Sequence, residues 1–368
     1  MKRHKKEVRL GIFGLGVIGG MHARNVLAGK IKRCRLAAIG DVSEKALAQF
    51  DDFIQKFSDL RKMLVSGRID ALLVTTPHYN HVPAGLAALK AGRHVLIEKP
   101  MAVQKSQCRK IIAAHQDRKT IFALMFNQRT DPIYRKVREL LIGGKMGKMT
   151  RVNWIITDWF RTNSYYRSNA WRATWAGEGG GVLVNQCPHQ LDMLQWICGM
   201  PETIRAFAGI GKRHKIEVED EVTAYLEYPN GATGVFATST GEAPGTNRLE
   251  IACDKGKIVV EDRTIKIWMN KLSVEKSIKT SPGWTPPPFK YSEIKYDGYG
   301  GQHVEILQNF TDAILDGVPL IAPAEEGIKS VELANAMLYS ALKNVTVRLP
   351  MAASVFDGLL KELISKSN

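Results

Sequence analysis

Short apolar runs without polar interruption alternate with amphipathic ones over the first 126 residues, and the first such run enters a glycine turn. "VRLGIFGLG" (8–16) reads as a strand and "GGMHARNVLAG" (19–29) as a helix closed by Gly29. "CRLAAIGD" (34–41), "IDALLVTTP" (69–77), "HVLIEKP" (94–100) and "TIFALMF" (120–126) read as further strands. Between them, "SEKALAQF" (43–50, with Ser43 as its cap), "HVPAGLAALKAG" (81–92) and "QKSQCRKIIAAHQ" (104–116) read as helices. A strand with one wet face alternates polar and apolar residues. Strands this uniformly apolar need helices on both faces, which means a parallel sheet inside an α/β layer structure.

Within that frame Gly14, Gly16 and Gly19 form G-x-G-x-x-G. Alone the pattern is weak, but here it follows a strand and opens a helix, the context in which it binds a dinucleotide. The first glycine permits the tight turn, the second lets a pyrophosphate approach the backbone, and the third lets helix and strand pack closely. The helix start at Val17 and Ile18 offers its N–H groups to phosphate. Asp41 ends the second strand, 22 residues beyond Gly19. An acid there accepts hydrogen bonds from the ribose hydroxyls and repels a 2′-phosphate, which favours NAD over NADP. Asp41 also reads as a helix N-cap.

The second half changes character. "MTRVNWIITDWF" (149–160), "EVTAYLEY" (221–228), "ATGVFATST" (232–240), "NRLEIACD" (247–254) and "KIVVE" (257–261) alternate like half-buried strands. "YPNGA" and "DKGK" read as hairpin turns between them. An antiparallel sheet with helices is expected over roughly 127–295, then a Pro-rich loop (281–290) and two long helices, 303–317 and 326–344. With 368 residues the chain suits two domains, a Rossmann domain at 1–126 and an α+β domain at 127–368 with a large, mainly antiparallel open sheet.

The strand at 94–97 stops at Glu98-Lys99-Pro100. Ligands of open α/β sheets bind at the carboxyl ends of strands, so Lys99 falls near the reactive end of a dinucleotide. Beside an alcohol, its ammonium would stabilise a developing alkoxide. Pro100 makes a cis bond after Lys99 possible, although a Glu-Lys pair ending a strand is also ordinary surface chemistry. "WRATWAGEGGGVLVNQCPHQLDMLQW" (171–196) is a glycine run before a helix. Asn185 and His189, four apart, would share a helical face with Asp192. Pro188 requires that this helix begin near Asn185 or bend there. His189 titrates where a proton acceptor for a hydroxyl should, though a lone histidine is more often structural.

Together these segments resemble the Gfo/Idh/MocA family: G-x-G-x-x-G, "TTPHYNH" (75–81), "AGRHVLIEKP" (91–100) and "GGGVLVNQCPHQLD" (179–192). The resemblance continues through "EYPNGATGVF" (227–236) and "LIAPAEEGIKSVELANAMLYSAL" (320–342), and so covers nearly the whole chain. It implies a Rossmann domain followed by an α/β domain with an open sheet, through which such proteins oligomerise as homodimers or homotetramers. It implies NAD or NADP as cofactor and hydride transfer between nicotinamide and a secondary alcohol of a sugar or cyclitol. By position, Lys99 is similar to the family's active-site lysine and His189 to its catalytic histidine. Glu98 and Pro100 would line the nicotinamide ribose, and Thr76, Pro77 and His81 would form a loop beside the cofactor. Trp171 and Arg172 resemble a pair near the pocket, where Arg172 would meet phosphate or substrate. Asn185 stands where the family more often has Asp; an amide orients a hydroxyl but takes no proton, which weakens a two-group relay. The substrate hydroxyl would then sit between Lys99 and His189. His303 either reaches this pocket or starts a helix. Tyr165, Tyr166 and Trp175 either pack or stack on a sugar ring.

Two other functions fit the same fold. One is redox-neutral glycoside cleavage through a transient keto-sugar; the other is a dinucleotide-binding regulator without chemistry. Net charge is +16, from 52 basic and 36 acidic residues, but it is spread along the chain apart from Lys2–Lys6. With no nucleic-acid motif, no nucleic-acid partner is expected. No apolar run reaches 18 residues, so no membrane span is expected. A basic head before an apolar stretch can be a secretory leader, but Arg9 and the glycines interrupt it. Five cysteines without a CxxC pair fit a cytoplasmic protein, and no ligand cluster suggests a metal.

Overall fold

The computed structural model describes residues 6–115 and 119–367. Most of the basic head at Lys2–Lys6 and the end of the helical pattern at Gln116 lie outside them. The elements in chain order are β1 (Val8–Phe13), α1 (Val17–Leu27), β2 (Cys34–Gly40), α2 (Glu44–Leu47), β3 (Gln55–Phe57), α3 (Leu60–Val65), β4 (Ala71–Val74), α4 (His81–Lys90), β5 (His94–Ile97), α5 (Lys105–Ala114) and β6 (Phe122–Leu124). There follow α6 (Pro132–Ile142), β7 (Met149–Ile156), α7 (Asn163–Arg167), α8 (Pro188–Cys198), β8 (Thr203–Ile210), β9 (Glu219–Glu227), β10 (Thr233–Ser239), β11 (Asn247–Cys253), β12 (Gly256–Glu261) and β13 (Thr264–Asn270). The chain ends with α9 (Val274–Thr280), β14 (Phe289–Lys295), α10 (Gln302–Asp316), α11 (Gly327–Lys343), β15 (Val347–Arg348) and α12 (Ala353–Lys366).

The chain divides into two compact units. The first holds residues 1–130, 177–179 and 301–331, and the second holds 131–176, 180–300 and 332–368. In the first unit, among the described residues, six parallel strands run in the order β3-β2-β1-β4-β5-β6. β4 is buried at every position, and Val95, Leu96 and Ile97 of β5 are fully buried, because helices cover both faces. Ile306, Leu307 and Phe310 of α10 belong to this same core. The residues around 301–331, distant in sequence, therefore complete the first unit rather than the second. Strand order reverses between β1 and β4, which opens a crevice at the carboxyl ends of the strands. The local signals act as expected there. Ser43 Oγ accepts from Ala46 N at 3.3 Å and starts α2, although α2 is only four residues long.

The second unit is built on nine strands, in the order β14-β13-β12-β11-β7-β10-β9-β8-β15 among the described residues. Its neighbours pair antiparallel except β7 and β10, which run parallel from Arg151↔Thr233 to Ile156↔Thr238. Both expected hairpin turns are present. Gly231 (φ +81°) turns β9 into β10, and the 254–257 turn joins β11 to β12. Alternation sorts each strand: on β9, Val222, Ala224 and Leu226 are buried while Thr223, Tyr225 and Glu227 are exposed. The buried face carries Trp154, with Tyr134 and Phe236 stacked at its edges, 5.7 and 6.5 Å between ring centres. The other face leaves Phe207, Tyr225 and Ile155 exposed. Among the described residues, no helix is long and apolar enough to cross a membrane.

Candidate active site

Every expected cofactor residue of the first unit falls at the carboxyl end of its sheet. Gly14 follows β1, Asp41 follows β2, Thr76 follows β4, and Glu98 and Lys99 follow β5. Three different constraints act on the three glycines. Gly14 has φ +102°, and a Cβ on it would lie 2.7 Å from the Thr75 backbone. A Cβ on Gly19 would lie 1.8 Å from the Gly14 carbonyl oxygen, so only glycine lets α1 come this close to the turn. A Cβ on Gly16 would meet nothing within 4 Å. That open volume lies where α1 begins without a side-chain cap and where Val17 is 84% exposed. A dinucleotide pyrophosphate fits such a cradle, bare of side chain and faced by helix N–H groups.

Asp41 is held from two sides. Its Oδ2 accepts from Leu15 N in the glycine turn at 2.5 Å, and its Oδ1 accepts from Ser43 N at 2.8 Å. The cap of α2 is Ser43, so Asp41 tethers the two loops and keeps a partly exposed carboxylate just past the end of β2. Thr75 locks the turn from the other side by donating from Oγ1 to Gly14 O at 2.5 Å.

Lys99 is half-buried and its peptide bond to Pro100 is cis. Two buried histidines flank this stretch. The His81 ring lies between two carbonyls, Nδ1 2.7 Å from Pro100 O and Nε2 2.7 Å from Thr76 O. Both of its nitrogens face the protein, so His81 shapes the 76–81 loop rather than presenting a ring to a ligand. Burial pulls its pKa below the ordinary histidine value, against the pull of the two carbonyls. Pro77 is exposed on that loop. Glu98 faces inward: its Oε1 lies 2.8 Å from His22 Nε2 on α1, and its Oε2 accepts from Lys99 N at 3.1 Å. Burial pushes the Glu98 carboxyl up, but the His22 bond and the charges of His22, His303 and Lys99 outweigh it and bring it down to about 2. His303 packs edge-on against His22, with ring centres 5.4 Å apart, one residue into α10. It therefore both starts a helix and lies beside the Glu98–Lys99 stretch. The sequence reading missed His22; its only local signal is its place three residues past the last glycine of the turn.

In the second unit the glycine run is fixed by Glu219, a fully buried carboxylate that the sequence reading also missed. It accepts from Gly181 N at 2.8 Å and from Leu183 N at 3.1 Å. A Cβ on Gly181 would lie 1.9 Å from Glu219 O, so this contact also requires glycine. The turn carries Asn185, and α8 then starts at Pro188, the position where a missing N–H costs nothing. Asn185 therefore lies in a turn ahead of the helix, one residue back from Gln186, and His189 lies inside the helix, buried. The shared helical face expected for the two is replaced by this turn-then-helix arrangement. Asp192 Oδ1 accepts from Gln195 Nε2 at 2.9 Å, within α8.

Arg172 is stacked and hydrogen-bonded. Its guanidinium lies 4.8 Å from the Trp171 ring centre and 4.6 Å from that of Tyr165, and Nη1 donates to Tyr165 Oη at 2.8 Å. Gln186 Nε2 donates to the same oxygen at 3.3 Å, which ties this cluster to the turn bearing Asn185. Tyr166 and Trp175 are buried, and Tyr166 Oη bonds Thr240 Oγ1 at 2.9 Å, so both pack rather than stack on a ligand.

A Rossmann sheet with this glycine turn and this acid defines a dinucleotide-binding protein, and comparison with known proteins gives its class. A model described as the oxidoreductase family with an NAD-binding Rossmann fold matches residues 8–126, and one of the GFO/IDH/MocA C-terminal domain matches residues 134–259. The chain belongs to the GFO/IDH/MocA family of oxidoreductases. Among its relatives, the myo-inositol 2-dehydrogenase of Thermotoga maritima is 25% identical over 355 residues, 93% of this chain and 98% of that protein. The levoglucosan dehydrogenase of Pseudarthrobacter phenanthrenivorans is 22% identical, over 95% of this chain and all of that protein. The structure of the WlbA dehydrogenase from Bordetella pertussis, in complex with NADH and UDP-GlcNAcA, has the same fold. Its TM-score is 0.78 at 24% identity, over 94% of this chain and all of that one.

Proposed function

We propose that this oxidoreductase uses NAD to oxidise a secondary alcohol on the ring of a sugar, sugar derivative or cyclitol, or to reduce the matching ketone. The observation that carries the reading is Lys99, half-buried at the carboxyl end of β5, with its backbone tied to an ionised, buried Glu98. Relatives named for myo-inositol and levoglucosan support a polyhydroxylated ring as substrate. NAD, when bound, supplies the hydride acceptor. The chain supplies the rest. Gly14, Gly16 and Gly19, with the start of α1 at Val17 and Ile18, hold the pyrophosphate, and Asp41 holds the ribose and selects against a 2′-phosphate. Thr76 and the loop held by His81 border the cofactor. Lys99 donates to the reacting oxygen and stabilises alkoxide character, and His189 accepts the hydroxyl proton. The Asn185 amide orients that hydroxyl. Trp171, Arg172 and His303 shape and charge the substrate end. NAD binding is assigned to residues 1–126 and substrate binding to the residues after them, apart from 301–331, which are built into the first unit, and the exposed Phe207–Tyr225 face of the second sheet is assigned to pairing with a second copy.

The test is reduction of NAD, followed as NADH absorbance, with inositols, sugars, uronic acids and glycosides as probes and a Lys99→Met protein alongside. Reduction with one class of ring alcohol, lost by at least about a hundredfold in the variant, is the expected result. Full activity of Lys99→Met removes the reading of the site. Silence across the panel with NAD bound removes the net dehydrogenase reaction. Sedimentation of a Phe207→Lys variant as wild type would remove the assignment of that face.

A further inference from the structure

Glu98 is 6% exposed and His22 only 1%, and no step of the proposed reaction uses either side chain. A buried carboxylate is costly unless each oxygen is answered. Here each is: Oε1 faces His22 Nε2 at 2.8 Å, and Oε2 accepts from the backbone N–H of Lys99 at 3.1 Å. A carboxylate only accepts, so Nε2 of His22 carries the proton and donates it. The bond therefore links the helix that opens at the glycine turn to the end of β5, across 76 residues of chain. His303, from the start of α10, packs edge-on against the His22 ring. It is itself held in place, because Gln302 N donates to Thr130 Oγ1 at 2.8 Å and Gln302 Oε1 accepts from Asn127 Nδ2 at 2.5 Å. The imidazole thus has one ring packed against it and one carboxylate oxygen as its hydrogen-bond partner.

We propose that His22 is a positioning residue: its imidazole fixes the Glu98 carboxylate, and that carboxylate fixes the backbone of Lys99 at the end of β5. The inference rests on the reading of Lys99 given above. The ionised state of Glu98, which three neighbouring basic groups favour, keeps both of its oxygens as acceptors. Without the His22 donor, Oε1 is left buried and unanswered. The carboxylate then turns toward water or toward Lys99, and the N–H bond at Lys99 loses its fixed partner. Cofactor contacts on the glycine turn are untouched, so the loss falls on Lys99 rather than on NAD.

The deciding experiment needs no alcohol. Backbone hydrogen exchange is followed over residues 98–101, with β1 and β4 as internal references, in wild type, His22→Leu and His22→Gln. The Leu variant removes the donor, and the Gln variant keeps an N–H at a similar reach. Exchange over 98–101 should quicken about tenfold in His22→Leu, with β1 and β4 unchanged, and return to within about twofold of wild type in His22→Gln. With the alcohol that reacts fastest in the panel, kcat should fall about tenfold in His22→Leu at unchanged NAD affinity, and recover in His22→Gln. Unchanged exchange over 98–101 in the Leu variant overturns the inference. So does equal loss in both variants, or quickening across the whole first sheet, which marks mere packing. If His22→Leu does not fold, Glu98→Leu, which removes both acceptors, takes its place, and unchanged exchange at Lys99 there overturns the inference too. Lys99→Met separates the two claims. Its full activity would remove the reading of the site and leave exchange to decide on His22, whereas an inactive Lys99→Met beside a wild-type-like His22→Leu removes the inference alone.

Discussion

Gly16 and Gly19 are three residues apart in one turn, yet alanine should do opposite things at them. At Gly19 the new Cβ would lie 1.8 Å from Gly14 O and 2.7 Å from Thr75 Oγ1. Carbon and oxygen rest at about 3.3 Å or more, so the start of α1 must retreat by roughly 1.5 Å. Gly14 cannot give way, because its own Cβ position is closed by the Thr75 backbone. Overpacking costs about 1–3 kcal/mol, and a backbone oxygen this close, in a residue that cannot move, places this case near 3. For a unit of this size each kcal/mol moves Tm by about 2–4 °C, so Gly19→Ala should melt roughly 6–12 °C lower. At Gly16 the same methyl meets nothing within 4 Å, and φ is −61°, which alanine adopts. Gly16→Ala should melt at or slightly above wild type, since alanine narrows the unfolded ensemble. It should nevertheless weaken NAD binding by about ten- to a hundredfold, because the methyl occupies the volume assigned to the pyrophosphate. Thermal melting and calorimetric NAD titration of both proteins read the two effects apart. Wild-type NAD affinity in Gly16→Ala would refute the cradle, and a wild-type Tm in Gly19→Ala would refute the packing argument.

Asp41→Ala should narrow the preference for NAD over NADP by at least about tenfold, because it removes the charge that repels a 2′-phosphate; an unchanged ratio of the two affinities would show that selectivity lies elsewhere. Against the cost of burial, the His22 bond and the neighbouring charges hold the Glu98 carboxyl below its ordinary value. The stability this contributes is therefore complete above about pH 5 and is lost as pH falls through the lowered pKa. Urea unfolding at pH 7, 5 and 3 should show a smaller acid loss in Glu98→Gln than in wild type, and parallel losses would contradict the pairing with His22. Glu219→Ala leaves the N–H groups of Gly181 and Leu183 without their buried acceptor, at a cost of about 3 kcal/mol. Activity should fall with stability as the turn bearing Asn185 loosens, and an active, equally stable variant would remove Glu219 from the site's support.

What the sequence could determine is what depends on near neighbours. Uniformly apolar β4 and β5 demand two covered faces, Ser43 can cap only the residues just after it, and Asn230-Gly231 turns a hairpin through its own backbone. The glycine turn, Asp41 and Lys99 were legible for the same reason, since each sits at the end of a strand whose pattern announces it. β14 was not: "FKYSEIK" carries three charges in seven residues, is largely exposed, and becomes a strand only by pairing with β13. Nor was the parallel pairing of β7 with β10, because each alternates alike whichever way its neighbour runs. The partners of Glu98 lie on other elements, His22 on the first helix and His303 on the tenth, and the two carbonyls around His81 belong to different loops. A buried charge must find its partner in space, and only the assembled sheet, with α10 packed into its core, decides which side chains those are.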